Sequence, residues 1–391
     1  MASLPVVPSQ PMLLSGYLPP ASADQTCGLT EAFRRRVSTI SSGSKPQSWV
    51  STYVRIEVTI LVVSVNASLP FSVKGYLNKI CIGLITVELL RSVATAQPGY
   101  IAGESPEYRA KWKADYHAMP NTAGSGPYPA RMESDPSLPN YTIYRPINLR
   151  GLGSKKLGLL IWGNGGCSDD GSSARLHLAE IASHGYLAIA PGTIMSGPSA
   201  GPTPPPDRFM KTTADDLRFA LNWALAENER RGSAYFRKID PRLAAVSGHS
   251  CGGMQAILIA ADPRIKAIVL HNSGVFPNMQ EKAGMDIDKT KLNALHTPVL
   301  YIVGNQTDIA WEVAKEDFAY IKQVPVMLAM KRDAGHQGSF AEPNGGAAAR
   351  VAIDWLEWQL REDQRAAHTF TGRDCGLCVS AAWSVQRKGM D

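Results

Sequence analysis

The sequence predicts an α/β protein built on a mainly parallel, doubly wound sheet. Three observations carry that expectation. From about residue 140 onward, apolar strand-like runs alternate with helix-like segments, the order that sets helices on both faces of one sheet. Most of these runs are continuously apolar, as strands covered on both faces must be. Short glycine-rich loops follow two of them, at the strand ends where such sheets collect their chemistry.

Taken in order, "YTIYRPI" alternates apolar and polar residues and reads as a half-exposed edge strand. "KLGLLIWG" is a buried strand followed by the loop "NGGCSDDGSS". The next helix presents Leu176, Leu178, Ile181 and Ala182, and Gly185 ends it. "YLAIAPG" is again a buried strand, followed by a long loop, "TIMSGPSAGPTPPPDRF", expected to be flexible. Thr212 and Thr213, with Asp215 and Asp216 three residues on, open a capped helix whose apolar face is Leu217, Ala220, Leu221, Ala224 and Leu225. "LAAVS", "IKAIVLHNSG", "TPVLYIVGN" and "VPVMLAMKR" supply the remaining strands, with the helix "AWEVAKEDFAYI" before the last. "AAARVAIDWLEWQL" closes the domain as an amphipathic helix.

The first ninety-odd residues have a different character. They hold eight Lys and Arg against four Asp and Glu, so +4 of the net charge of +6 lies there. No basic stripe remains in the main body, which argues against a nucleic-acid partner. No apolar run approaches the ~20 residues of a stable membrane span. Within residues 74–96, Lys74 and Lys79 precede an apolar core from Ile80 to Leu90, and Ala94-Thr95-Ala96 follows. That is the form of a secretory signal placed deep in the chain, the alternative being a buried helix or short hairpin. The expectation is a translation start downstream of Met1, or mis-joined coding sequence ahead of residue 79, and a secreted chain beginning near Gln97. The expected organisation is therefore an extension, 1–96, the α/β domain, 97–362, and a tail, 363–391.

The chemistry-bearing stretch is "AAVSGHSCGGMQA", in which Gly248-His249-Ser250-Cys251-Gly252 fits G-x-S-x-G. Between an apolar strand and a small-residue helix, this pattern predicts a sharp turn that exposes the serine in a strained conformation. A serine hydroxyl becomes a nucleophile only when a base takes its proton and an acid orients that base. His336, in the loop "RDAGHQGSF" after the last apolar strand, is the expected base. His296 lies at the entry of a strand, the wrong end of the sheet. Asp308, at the end of "TPVLYIVGNQT", is the expected acid, and it can also cap the following helix. The oxyanion donors are expected from the backbone of Cys251 and of Asn164, Gly165 and Gly166. His271 and Asn272 are expected either to wall the cleft or to serve as satisfied structural polar groups, and Trp162 to lie in the core.

Four cysteines lie beyond Ala96, an even number that permits three connectivities. Cys167 ends the oxyanion loop and Cys251 should face it, so a bridge between them would fix both halves of the oxyanion site; two free buried thiols are the other possibility. Cys375-Gly376-Leu377-Cys378 has no second pair at zinc-ligand spacing. It is expected to form a local disulfide, with neither metal nor cofactor required.

With these residues in place, the chain resembles the α/β-hydrolases over about residues 125–362. Within them it is similar to the dienelactone-hydrolase, cutinase-like polyester-hydrolase and platelet-activating-factor-acetylhydrolase-like branch. "GPYPA", "YTIYRP", "IASHGYLAIAPG", "GHSCGG", "TPVLYIVGNQTD" and "AGHQGSF" stand in the order of that group. The resemblance implies Ser250, His336 and Asp308 as a catalytic triad and a small-molecule or polymeric ester as substrate. Two departures stand out. Dienelactone hydrolases proper use a cysteine nucleophile, and cutinase-like enzymes carry an aromatic in the oxyanion loop where this chain has "GNGGC". The insert "VFPNMQEKAGMDIDKTKLNAL" is short for a lid and predicts a small cap over an open cleft. The leading expectation is a secreted serine esterase. An acyltransferase or thioesterase of secondary metabolism would use the same residues, whereas a non-catalytic binding protein on this fold would be expected to lose some of them.

Overall fold

The computed structural model describes residues 105–390. The extension, including the signal-like segment 74–96, lies outside the described residues. The strands are β1 (Ala130–Asp135), β2 (Leu138–Pro146), β3 (Leu157–Gly163), β4 (Tyr186–Pro191), β5 (Ile239–His249), β6 (Ile265–His271), β7 (Val299–Val303), β8 (Val326–Lys331) and β9 (Trp383–Lys388). They form one sheet in the order β1-β2-β4-β3-β5-β6-β7-β8-β9. The run from β4 to β8 is parallel, and the outer pairings β1–β2, β2–β4 and β8–β9 are antiparallel.

The larger helices are α1 (Pro106–Ala118), α2 (Arg175–Ser183), α3 (Ala214–Glu229), α4 (Cys251–Ile259), α5 (Met279–Ala283), α6 (Trp311–Tyr320) and α7 (Gly346–Arg361). Apolar side chains of α3, α4 and α6 join one core cluster with Leu157, Leu159 and Ile161 of β3. Those of α2 and α7 join the other with Leu160 and Trp162. The pleat sends successive β3 residues to opposite faces, so this strand must be apolar throughout. Thr213 and Asp216 cap α3 reciprocally, as their spacing predicts.

Connectivity fixes where a site can form. From β3 the chain passes through α2 to β4 on one side, then returns through α3 to β5 on the other. Loops leaving adjacent strands in opposite directions open a crevice at their carboxyl ends. The loop from Asn164 and the turn at Ser250 both lie there. His296 sits at the opposite end, its Nε2 bonded to the Ile265 carbonyl.

Two features differ from the sequence reading. β2 is covered by β1 and buried along Tyr141–Pro146, so it is not the edge strand its alternation implies. The segment 363–390, read as a tail, carries β9, which pairs with the whole of β8 and buries Trp383. The bridge Cys375–Cys378 is present just ahead of it. The insert between β6 and β7 is fastened at its base by buried Asp317 of α6, whose carboxylate accepts from Val275 N (2.8 Å) and Lys289 Nζ (2.5 Å). Met279, Ile287, Leu292 and Leu295 of the insert join the α4–α6 core.

Removing residues 381–391 would expose the buried edge of β8 and lose the Trp383 contacts. The expected result is a fall in Tm of roughly 10 °C or insolubility, from several kcal/mol of lost burial and an open strand edge. An unchanged melting temperature in scanning calorimetry would contradict this role for β9.

Candidate active site

β5 ends at His249 and α4 begins at Cys251, leaving Ser250 alone to turn the chain. Its φ of 52° and ψ of −120° lie in a region that costs an L-residue about 1–3 kcal/mol. Surrounding bonds hold it there. Ser250 N donates to His271 O (3.0 Å), and Ser250 O accepts from Ser273 Oγ (2.6 Å) and Gly253 N (3.0 Å). The glycines of the motif are steric necessities. A Cβ on Gly252 would stand 2.1 Å from the Gly163 carbonyl, and one on Gly248 would stand 2.4 Å from Gly252 O. The end of β3 and the start of α4 therefore touch backbone to backbone.

The loop after β8 brings His336 over this turn. His336 Nδ1 lies 2.6 Å from Asp308 Oδ1, and its Nε2 lies 2.9 Å from Ser250 Oγ. A carboxylate only accepts, so Nδ1–H donates to Asp308 and Nε2 is left to accept from the serine hydroxyl. Asp308 and His336 are 3% and 2% exposed. Asp308 Oδ2 accepts from Asn272 Nδ2 (2.7 Å) and Gly304 N (2.8 Å), and Oδ1 from Ala310 N (2.9 Å). Burial alone would raise its pKa. The bond and charge of His336 and the donors from Ala310 and Asn272 outweigh that, holding the carboxyl below its ordinary value. Asp308 also starts the turn into α6, its main-chain carbonyl accepting from Trp311 N.

The four residues expected to stabilise an oxyanion divide by role. Cys251 is the first residue of α4, and its N–H belongs to the group without intrahelical acceptors. Asn164 uses its side chain internally, with Nδ2 donating to Ser168 O (2.9 Å) and Pro191 O (2.7 Å). Gly165 packs against the His249 ring, and Gly166 is left-handed at φ 64°. The turn's own bonds run from Cys167 N to Asn164 O and from Ser168 N to Gly165 O, so they do not use the amides of Gly165 and Gly166. Cys167 and Cys251 form a disulfide with their Cα atoms 5.2 Å apart. Closing that 84-residue separation is worth roughly 4–5 kcal/mol in the chain-entropy model.

His271 and Asn272 are both buried, at 0% and 2% exposure. Asn272 supports Asp308 and donates weakly to Gly335 O (3.1 Å). His271 joins Trp162, His177 and Phe340 in a ring-packed cluster behind the site. Phe340 also touches His249, so four rings grip the loop that carries His336.

Sequence reasoning passed over His249, whose Nε2 donates to the main-chain carbonyl of His336 (2.9 Å). Burial, then the charge of neighbouring His336, lowers its pKa to about 4, so it is neutral at neutral pH. Its place inside G-x-S-x-G was the available signal. The end of the long loop and the residues after it are tied to the oxyanion loop. Arg208 forks onto Asp169 (2.5 and 2.6 Å), and Met210 N and Lys211 N bond to Gly166 O and Cys167 O.

No cluster of three or more His, Cys, Asp or Glu side chains suited to a metal occurs among the described residues. The chain matches no protein-family model and no curated protein sequence.

The buried histidines set an acid limit on the fold. Burial presses His177 down to about 3 against the pull of Glu180; burial, then neighbouring His177 and His249, holds His271 well below the ordinary value. The unfolded chain takes up these protons below its pKa of about 6.5, whereas the folded chain refuses them. Stability is therefore lost as pH falls from 6.5, by about 1.4 kcal/mol per unit for each group. Denaturant melts at pH 7 and pH 5 should show this loss, shallower in His177→Phe. Equal pH dependence in the variant and the native chain would contradict it.

Proposed function

We propose that the protein is a serine hydrolase of carboxylic esters with the α/β-hydrolase architecture. The observation that carries this reading is the hydrogen-bonded series Ser250–His336–Asp308 at the switch point of the sheet. The positive-φ turn presents the serine, the buried carboxylate fixes the imidazole tautomer, and the imidazole nitrogen facing Ser250 Oγ is the one free to take a proton.

In this mechanism Ser250 Oγ attacks the ester carbonyl carbon while His336 Nε2 takes its proton. Asp308, ionised and held by three other donors, stabilises the imidazolium without accepting the proton. The carbonyl oxygen, now an oxyanion, is met by Cys251 N–H and by an amide of the Gly165–Gly166 turn, each donor worth about 10²–10³ in rate. His336 returns the proton to the departing alkoxide, leaving an acyl-serine and free alcohol. Water then attacks the acyl carbon with His336 again as base, and the carboxylic acid leaves.

The Cys167–Cys251 bridge supports the reading because it ties both donor segments together. Two disulfides suit an oxidising compartment, in accord with a secreted protein. No helix among the described residues is long and apolar enough to cross a membrane. The substrates proposed are small-molecule or polymeric esters.

A fluorophosphonate probe should label the native protein and not Ser250→Ala, which should also lose roughly 10⁶-fold in p-nitrophenyl acetate turnover. Asp308→Asn should lose about 10⁴-fold through the wrong tautomer. Equal labelling of the native and Ser250→Ala proteins would overturn the proposal.

A further inference from the structure

Phe209 and Met210 are the only two consecutive large apolar residues that stand exposed among the described residues, at 48% and 44%. Exposed apolar side chains are ordinary when scattered singly. This pair is neither single nor free to collapse elsewhere.

The segment bearing it is stapled to the oxyanion loop by the bonds above. Further anchorage comes from Thr212, whose N–H donates to Cys167 O (3.0 Å) and whose carbonyl accepts from buried Gln255 Nε2 (2.6 Å). The Phe209 ring lies over Gly166, where an added Cβ would stand 2.5 Å from it. Met210 Sδ lies 3.6 Å from Cys251 Sγ, beside the residue that follows Ser250. Met210 itself is left-handed at φ 54°. A non-glycine residue held in that conformation, with its side chain half in water, places apolar surface where folding alone does not require it.

We propose that Phe209 and Met210 form the hydrocarbon-binding wall of the ester site, selecting substrates with an apolar chain next to the scissile carbonyl. The inference rests on the serine-hydrolase reading for its chemistry and names the substrate class of that site. The wall is continuous with the oxyanion turn, so a carbonyl oxygen held by Cys251 N–H would leave an attached chain within reach of the Phe209 face. Because the bonds to Asp169, Gly166 and Cys167 fix the wall before substrate arrives, little ordering is required on binding. A fixed apolar surface discriminates chain length by about 10–200-fold per well-buried group.

The test compares kcat/KM for p-nitrophenyl hexanoate and p-nitrophenyl acetate in the native protein, Phe209→Ala, Phe209→Leu and Met210→Ala. The hexanoate-to-acetate ratio should fall at least tenfold in Phe209→Ala, and by less in Met210→Ala. Phe209→Leu should recover most of it by restoring apolar area. In parallel, hexanoate binding is titrated calorimetrically into Ser250→Ala with and without Phe209→Ala, where loss of Phe209 should weaken it at least tenfold. Ester turnover that depends on Ser250 but shows the same ratio and the same hexanoate affinity without Phe209 would overturn the wall and leave the hydrolase reading standing. Phe209-dependent hexanoate binding in a protein that turns over no ester would do the reverse.

Discussion

Everything at this site depends on two backbones approaching closer than any side chain allows. Gly163 at the end of β3 and Gly252 at the start of α4 meet with no room for a single Cβ. That contact brings the loop after one strand against the turn after its neighbour, and it does so at the reversal of sheet order, where a crevice exists. With the separation fixed, Ser250 has no route from β5 to α4 except through positive φ. The Cys167–Cys251 bridge closes the same junction covalently.

A second constraint is electrostatic. The Asp308 carboxylate is taken out of water, a cost offset only if its oxygens are fully occupied. Asn272, Gly304, Ala310 and His336 occupy them, from the ends of β6 and β7, the turn into α6 and the loop after β8. One carboxylate thus gathers four segments of chain. Behind His336 the rings of Trp162, His177, His271 and Phe340 add packing without charge, since burial keeps both histidines neutral. The polar series is backed by what is, at neutral pH, an uncharged wedge.

Much of this was legible in the sequence, for identifiable reasons. The parallel strands announced themselves because β3, β4, β7 and β8 are apolar on both faces, and α3 because its capping box is local. Ser250, His336 and Asp308 were legible because each follows an apolar strand, and strand ends are where the fold can use them. β1 and β9 were hidden because an outer strand carries polar residues, as in "ARMESD" and "WSVQRK", and its pairing is decided by a distant partner. For His271 and Asn272 the sequence left the cleft-wall and structural readings open for a related reason. Their position at a strand end is the same as that of a cleft residue, and only the packing of Phe340 and the needs of Asp308 decide which way they serve. Phe209 ends a proline-rich stretch whose order comes from Asp169, Gly166 and Cys167, some forty residues earlier.

In the proposed reaction a hydroxyl held on this strained turn gives up its proton to His336 and takes an acyl group in its place. The most direct measurement is acid quench of the native protein during steady-state turnover of p-nitrophenyl acetate, followed by peptide mass spectrometry. One acetyl group per chain is expected, on the peptide containing Ser250 and removed on longer incubation without substrate. Turnover with no acyl group on that peptide, or with the acyl group on another residue, would contradict it.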